Sequence, residues 1–138
     1  MARTLLIYGA ALFLLGLLQG GLVQLHLNPR MALSAHLTAL QSGMALMIAG
    51  IAWPAVSLPV RWGGATRMGL IAGMFGLWIA LTLAALTGAS AMLPIAGSGY
   101  AAGSVMETVV SILILASSGL VIVSWAALLF GLCRRAVR

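Results

Sequence analysis

Two histidines flank the start of a strongly apolar stretch, on either side of the segment NPRMALS at 28–34. His26 lies just before the helix-breaking Asn28-Pro29 pair, and His36 lies inside the apolar stretch. A neutral imidazole can bind a haem iron or another transition metal, and burial favours that neutral form. Alternatively, His36 bonds a carbonyl of a neighbouring helix and His26 lies near the lipid headgroups. His36 is the better candidate for a metal ligand, because His26 lies closer to the membrane surface.

The remaining composition limits which metal sites and reactions are available. The chain has two histidines, the single carboxylate Glu107 and the single cysteine Cys133, whereas zinc sites take three or four such ligands. A haem brings four nitrogens and needs one or two protein ligands. Arg30 could pair with a haem propionate, or it is an interfacial charge. Without any Asp, a Ser-His-Asp set is excluded, as are paired carboxylates. No Gly-rich phosphate loop is found, so hydrolases and nucleotide-dependent enzymes are disfavoured.

Several weaker polar candidates accompany the histidines. Tyr100, in the loop PIAGSGYAAGS, offers a phenol that either donates a hydrogen bond or anchors the loop at the interface. Glu107 is predicted to pair with Arg30 or to assist proton movement. Ser and Thr in membrane helices usually bond their own backbone, which is the alternative to a pocket role. The residues that could face an interior are Thr38, Gln41, Ser42, Trp78 and Thr82.

The composition indicates an integral membrane protein. Of 138 residues, 63% are hydrophobic and only 6% are charged, against about a quarter charged in soluble domains. The net charge of +6 comes from seven arginines and the single Glu107, and the arginines are too scattered to follow a phosphate backbone, so no nucleic-acid partner is predicted. We expect lipid to be the main surrounding partner.

Four stretches are long enough to cross a hydrocarbon core about 30 Å thick, which needs roughly 20 residues of helix. Because lipid cannot bond exposed backbone groups, these spans are predicted to be helices. The first is expected to be retained and not cleaved as a signal peptide, since its apolar run is long and no A-x-A site follows. The prediction is an all-α integral membrane four-helix bundle, a single transmembrane domain over 1–138 with spans at about 4–26, 31–56, 68–88 and 109–133.

The arginines also predict the orientation of the bundle. Four spans place six arginines on one side and Arg30 alone on the other. The positive-inside rule then puts both termini in the cytoplasm. Small residues four apart, at Gly16 and Gly20 and at Gly69 and Gly73, predict close helix packing, either within the bundle or between subunits.

The motifs NPRMALSAHLTALQSGM at 28–44 and LPIAGSGY at 93–100 resemble the hydroxylaminobenzene mutase family, which is related to styrene oxide isomerase. The resemblance covers nearly the whole chain, including the four-span layout. It implies a membrane isomerase, predicted to be a homotrimer in a bacterial-type inner membrane, with haem b near the subunit interfaces. His36 matches the histidine that binds the iron in the related epoxide isomerase.

The resemblance also guides the choice of site residues. We predict Asn28 and Arg30 at the outer rim of the cofactor site, and Ser42, Trp78 and Tyr100 in the substrate pocket. Relatives carry an asparagine at the position of Ser42, and their third helix is rich in Tyr and Asn where this chain reads FGLWIALT.

The implied reaction is an intramolecular hydroxyl transfer in which ferric haem acts as a Lewis acid. An aryl hydroxylamine such as hydroxylaminobenzene would become 2-aminophenol without an external electron donor. A small apolar aromatic of this kind partitions into membranes. Three alternatives stay open: an epoxide isomerase that gives an aldehyde, a non-enzymatic haem protein ligated by His26 and His36, and a small oligomeric transporter without a cofactor.

Overall fold

Four long helices form the part of the chain that the computed structural model describes, residues 2–134. Each helix is long and apolar enough to cross a membrane, and no strand occurs among the described residues. The prediction of an all-α chain with four apolar helices is therefore confirmed. The helices are α1 (Ala2–Gly21), α2 (Pro29–Ala52), α3 (Val60–Thr87) and α4 (Ser104–Cys133), with short 3₁₀ turns at Val23–Leu25 and Trp53–Ala55.

The last two helices begin earlier than the apolar stretches that predicted them. Helix α3 begins at Val60, where the span was expected from 68, and α4 begins at Ser104, where 109 was expected. The 28 residues of α3 reach about 42 Å at 1.5 Å per residue, which exceeds the hydrocarbon thickness. Hydropathy marks only the part of a helix within lipid, whereas backbone hydrogen bonds continue the helix into the interface.

Helix α1 ends at Gly21, earlier than the predicted boundary at 26. The pair Gly20-Gly21 lowers helix propensity there, and a 3₁₀ turn leads the chain towards α2.

Neighbouring helices pack in chain order, α1 on α2, α2 on α3 and α3 on α4. Glycines allow this close approach. A Cβ atom on Gly43 of α2 would lie 2.7 Å from the Phe13 nitrogen and 2.8 Å from the Gly9 oxygen of α1. In the second hairpin, a Cβ on Gly73 of α3 would lie 3.0 Å from the Ser117 oxygen of α4. The small residues thus serve helix contacts within one chain.

One end of the bundle gathers most of the described arginines. The turn after α2 is bonded to the end of α4, because the Ser57 nitrogen donates to the Gly131 oxygen at 2.8 Å. Arg61 and Arg134 therefore share this end, and Arg30 lies at the opposite one, next to the turn between α1 and α2. Of the arginines behind the predicted orientation, Arg135 and Arg138 lie outside the described residues. That this end faces the cytoplasm stays a prediction.

The loop between α3 and α4, residues 88–103, is held by Glu107. Its carboxylate accepts hydrogen bonds from the backbone nitrogens of Ser90, Ala91 and Ala102 at 2.9–3.1 Å. The predicted ion pair between Glu107 and Arg30 is not formed, because Arg30 donates to the Ser98 carbonyl instead, and the alternative role of Glu107 in proton movement stays a prediction. Glu107 thus fixes both ends of the loop to the first turn of α4.

Replacing Glu107 with Gln should loosen this loop. The amide keeps one acceptor oxygen but turns a donor group towards backbone N–H groups, and hydrogen bonds to a charged group contribute about 1.5–3 kcal/mol each. We expect hydrogen exchange at Ser90, Ala91 and Ala102 to be at least about tenfold faster by mass spectrometry or NMR. Thr108→Val, at the exposed position next to Glu107, is the control and should leave exchange at these three residues unchanged. Unchanged protection in Glu107→Gln would contradict the assignment.

Replacing Gly43 with Ala should destabilise the contact between α1 and α2. The added Cβ meets backbone atoms of α1, which cannot rotate away as a side chain can, and overpacking costs about 1–3 kcal/mol. The free energy of unfolding in detergent should fall by this amount. Gly119→Ala is the matched control, since a Cβ there meets no atom within 4 Å. Equal stability of both variants would refute a close contact at Gly43.

Candidate functional site

The His36 side chain crosses from α2 to α1. Its Nδ1 lies 2.7 Å from the Gly16 oxygen, and its ring packs against Gly20, where a Cβ would lie 2.7 Å from Cε1. A carbonyl only accepts, so Nδ1 carries the proton in this bond, and the Nε2 atom of a neutral ring keeps its lone pair. Gly16 and Gly20 thus provide both the acceptor and the space that orient a half-buried imidazole.

This contact is the bond to a neighbouring helix that the sequence left open as an alternative for His36. It is compatible with a ligand role, because histidines that bind metals usually donate their other ring N–H to a carbonyl or carboxylate. Within residues 2–134, no group of three or more His, Cys, Asp or Glu side chains could hold a metal ion.

The second histidine is oriented in the same way but in a different place. The Nδ1 atom of His26 lies 2.9 Å from the Leu22 oxygen, one turn earlier in the chain, so Nε2 is again the ring acceptor. His26 lines an open, groove-like cavity of about 240 Å³ between the last turns of α1 and the second half of α3. The two histidines thus serve different surroundings, His36 between α1 and α2 and His26 at this cavity.

Gln19 forms a buried polar network with α3 that sequence reasoning missed. Only 6% of Gln19 is exposed, and its Oε1 accepts a 2.6 Å bond from the Trp78 indole N–H. Its Nε2 donates to the Thr82 hydroxyl at 3.1 Å, and that hydroxyl donates to the Trp78 carbonyl at 2.8 Å. A lone amide in the run LLGLLQG was the available signal, because a polar group in a lipid-spanning helix requires a partner.

The network forms part of the cavity wall. Trp78, predicted for the substrate pocket, is joined there by residues of α1 and by Thr82. The Phe75 ring packs edge-on to the Trp78 ring at a centroid distance of 6.4 Å, and the Tyr8 ring packs against Phe75 at 6.1 Å. The cavity is lined by Leu15, Leu18, Gln19, Leu22, His26, Trp78 and Thr82.

Asn28 connects the turn between α1 and α2 to two other parts of the fold. The side chain is fully buried, its Oδ1 accepts from the Met31 nitrogen at 3.1 Å, and its Nδ2 donates to the Ala96 oxygen at 2.9 Å. The Asn28 backbone nitrogen also donates to the Ala85 oxygen at the end of α3. Asn28 therefore begins α2 and fixes that start against α3 and the α3–α4 loop.

The other predicted site residues lie apart from this cavity. Arg30 is exposed and donates to the Ser98 carbonyl of the α3–α4 loop. Tyr100 lies in the same loop, and its carbonyl accepts from the Ser90 hydroxyl at 2.8 Å. Ser42 is half-buried on α2, six residues beyond His36. Of the predicted substrate residues, the structure brings only Trp78 to the cavity.

Comparison with known proteins places these features in a family. The family model described as styrene oxide isomerase matches residues 1–133. Hydroxylaminobenzene mutase HabA of Ectopseudomonas oleovorans is 39% identical over 135 residues, which is 97% of this chain and 100% of that protein. Hydroxylaminobenzene mutase HabB of the same organism is 38% identical, over 96% of this chain and 81% of its own. No solved structure gives a significant match. The chain thus belongs to the styrene oxide isomerase family, a family of isomerases.

Proposed function

We propose that this isomerase converts an aryl hydroxylamine, such as hydroxylaminobenzene, to 2-aminophenol, with haem b bound through His36. The names of the two mutases that match nearly the full chain support the substrate class. The observation that carries the proposal is the orientation of the His36 ring. Its Nδ1 is bonded to the Gly16 oxygen, so the Nε2 lone pair of a neutral ring is the one that would bind iron. The reaction is an isomerisation, so atoms and electrons balance without a reductant.

The chemistry of His36 and Arg30 supports a haem. A neutral imidazole oriented by a carbonyl is a common axial ligand, and only one or two protein ligands are needed. Arg30 is exposed and uses one donor on Ser98, which leaves other guanidinium N–H groups for a propionate. When bound, haem b supplies a Lewis-acidic iron for the substrate oxygen.

The chain itself supplies binding, orientation and exclusion of water. Asn28 holds the start of α2, and with it the turn that precedes His36, against α3 and the α3–α4 loop. Trp78 offers an aromatic surface that suits a small apolar ring, while Ser42 and Tyr100 stay weaker proposals for contacts with the substrate. The apolar helices keep bulk water from the N–O bond while the hydroxyl moves to the ring.

A second candidate is an epoxide isomerase that converts a styrene-oxide-type substrate to an aldehyde. The match of the styrene oxide isomerase family model to residues 1–133 favours it. Both reactions need a small aromatic substrate and a polarised oxygen, so the same site would serve either one.

The assembly and orientation belong to the same proposal. We propose a homotrimer in a bacterial inner membrane, with haem b near the subunit interfaces and both termini in the cytoplasm. Four arginines near one end of the described bundle, at positions 3, 61, 67 and 134, support this orientation against Arg30 at the other. The predicted partners are a small apolar aromatic substrate and membrane lipid.

Activity can be tested directly on membranes that contain the protein. Hydroxylaminobenzene should give 2-aminophenol without added reductant, measured by liquid chromatography, and His36→Ala should abolish most of this turnover. Membranes without the protein are the control for spontaneous rearrangement. If hydroxylaminobenzene persists while styrene oxide becomes phenylacetaldehyde, the second candidate replaces the first. If neither substrate is converted, both are refuted.

Haem binding can be tested through the space beside the His36 ring. An added Cβ in Gly20→Ala would lie 2.7–2.8 Å from Cε1 and Nδ1, so the ring must move away from the Gly16 oxygen. We expect Gly20→Ala and His36→Ala to lose most Soret absorbance per protein after gentle solubilisation. Gly21→Ala is the matched control, since a Cβ there meets no atom within 4 Å. Full haem content in His36→Ala, or none in the unmodified protein, would refute the ligand assignment.

A further inference from the structure

The cavity between α1 and α3 is lined by aromatic, polar and apolar side chains, and the role proposed for His36 does not account for it. It has a volume of about 240 Å³, and three of its seven lining residues are leucines, with Trp78 on one side and His26 also in the lining. The polar groups of Gln19 and Thr82 bond each other and Trp78, which takes one acceptor position on each side-chain oxygen. Among the lining side chains, the neutral His26 ring, whose Nδ1 bonds the Leu22 oxygen, has its whole Nε2 lone pair left to accept a hydrogen bond.

We propose that this cavity binds a small planar aromatic molecule that carries a hydrogen-bond donor, of the aryl amine or aryl hydroxylamine class. Trp78 is the aromatic wall, Gln19 is the residue that positions Trp78, and His26 accepts the hydrogen bond from the ligand. The identification of this ligand with the substrate rests on the proposed function, whereas binding of the chemical class does not.

The size of the cavity favours a single aromatic ring. An engineered protein cavity of about 150 Å³ lined by apolar side chains holds benzene. The pocket beside Trp78 is an open groove of about 240 Å³, bordered by the exposed side chains of Leu18 and Leu22, so it can seat one ring with a polar substituent while one face of the ring stays open. Its leucine-rich lining provides no charged partner, so a neutral aromatic fits better than an ionised one.

The Gln19 amide makes the aromatic wall rigid before a ligand arrives. Gln19 accepts from the indole N–H at 2.6 Å and is itself bonded to Thr82, and the Phe75 ring packs edge-on to the indole. A side chain already held in one orientation loses less conformational entropy on binding. Gln19 therefore acts on the ligand through Trp78, as a positioning residue.

His26 gives the cavity its preference for a donor. Because Nδ1 is bonded to the Leu22 oxygen, a neutral ring presents Nε2 as an acceptor. An N–H or O–H group on the ligand would satisfy this atom, whereas a methyl group of the same size would leave it unpaired. A neutral hydrogen bond contributes about 0.5–1.5 kcal/mol, equivalent to a roughly two- to tenfold difference in affinity.

Binding can be followed at Trp78 with fluorine NMR. The protein is labelled with 5-fluorotryptophan, and the Trp78 signal is assigned with Trp78→Phe, leaving the signals of Trp53, Trp62 and Trp125 as internal references. Aniline is the donor probe and toluene is its isostere without a donor. We expect saturable shifts of the Trp78 signal with both probes, and little change at the other three tryptophans.

Two variants separate the roles of His26 and Gln19. In His26→Phe, the ratio of aniline to toluene affinity should fall about two- to tenfold, because only aniline loses a partner. In Gln19→Leu, the Trp78 signal should move before any ligand is added, and both affinities should fall together. Gln24→Leu, at an exposed position in the turn after α1, is the matched control and should leave shifts and affinities unchanged.

Each result bears on the proposal independently of catalysis. An absence of saturable change at Trp78 would overturn the site, and an unchanged aniline-to-toluene ratio in His26→Phe would overturn the acceptor role. The assay requires neither haem nor turnover. If aniline binds as expected and hydroxylaminobenzene is not converted, the site stands and the proposed reaction fails. If hydroxylaminobenzene is converted and aniline does not bind at Trp78, the reaction stands and the substrate binds elsewhere.

Discussion

Lipid offers no hydrogen bonds, so each polar side chain within the helices must find a partner inside the protein or lose several kcal/mol. This constraint explains the placement of the buried polar groups described above. His36 reaches the Gly16 carbonyl across the helix interface, and Gln19 reaches Trp78 and Thr82. The glycines of α1 make the first of these contacts geometrically accessible, because a side chain at Gly20 would occupy the space of the imidazole.

The same constraint leaves each histidine with one defined free atom. Both rings have Nδ1 bonded to a carbonyl, at 2.7 Å for His36 and 2.9 Å for His26, and both therefore present Nε2. Their surroundings decide what that atom can do. The His36 ring packs between α1 and α2 against Gly20, whereas His26 lines an open groove with an aromatic wall. The same local chemistry thus underlies two separate proposals, iron ligation at His36 and acceptance of a hydrogen bond at His26.

Helix number and type could be predicted from the sequence because apolar runs of about 20 residues have few alternatives in lipid. The start of α3 at Val60 could not, since hydropathy does not detect helical turns that contain arginine and extend beyond the hydrocarbon. His36 and Trp78 stood out as polar or amphipathic residues within apolar runs. Gln19 was missed because it lies next to two glycines near the end of such a run and resembles a boundary residue. The role of Glu107 depends on backbone donors that only the folded loop brings together.

Helix α1 is the wall that the two candidate sites share. Gly20 faces the His36 ring and the adjacent Gln19 faces Trp78, and successive residues of an α-helix point about 100° apart. One turn of α1 therefore contacts α2 with one side and α3 with another. A shift of α1 that opened the cavity would also change the contact between Gly16 and His36. The orientation of the His36 ring and the position of the Trp78 indole thus both depend on side chains and backbone atoms of this one end of α1.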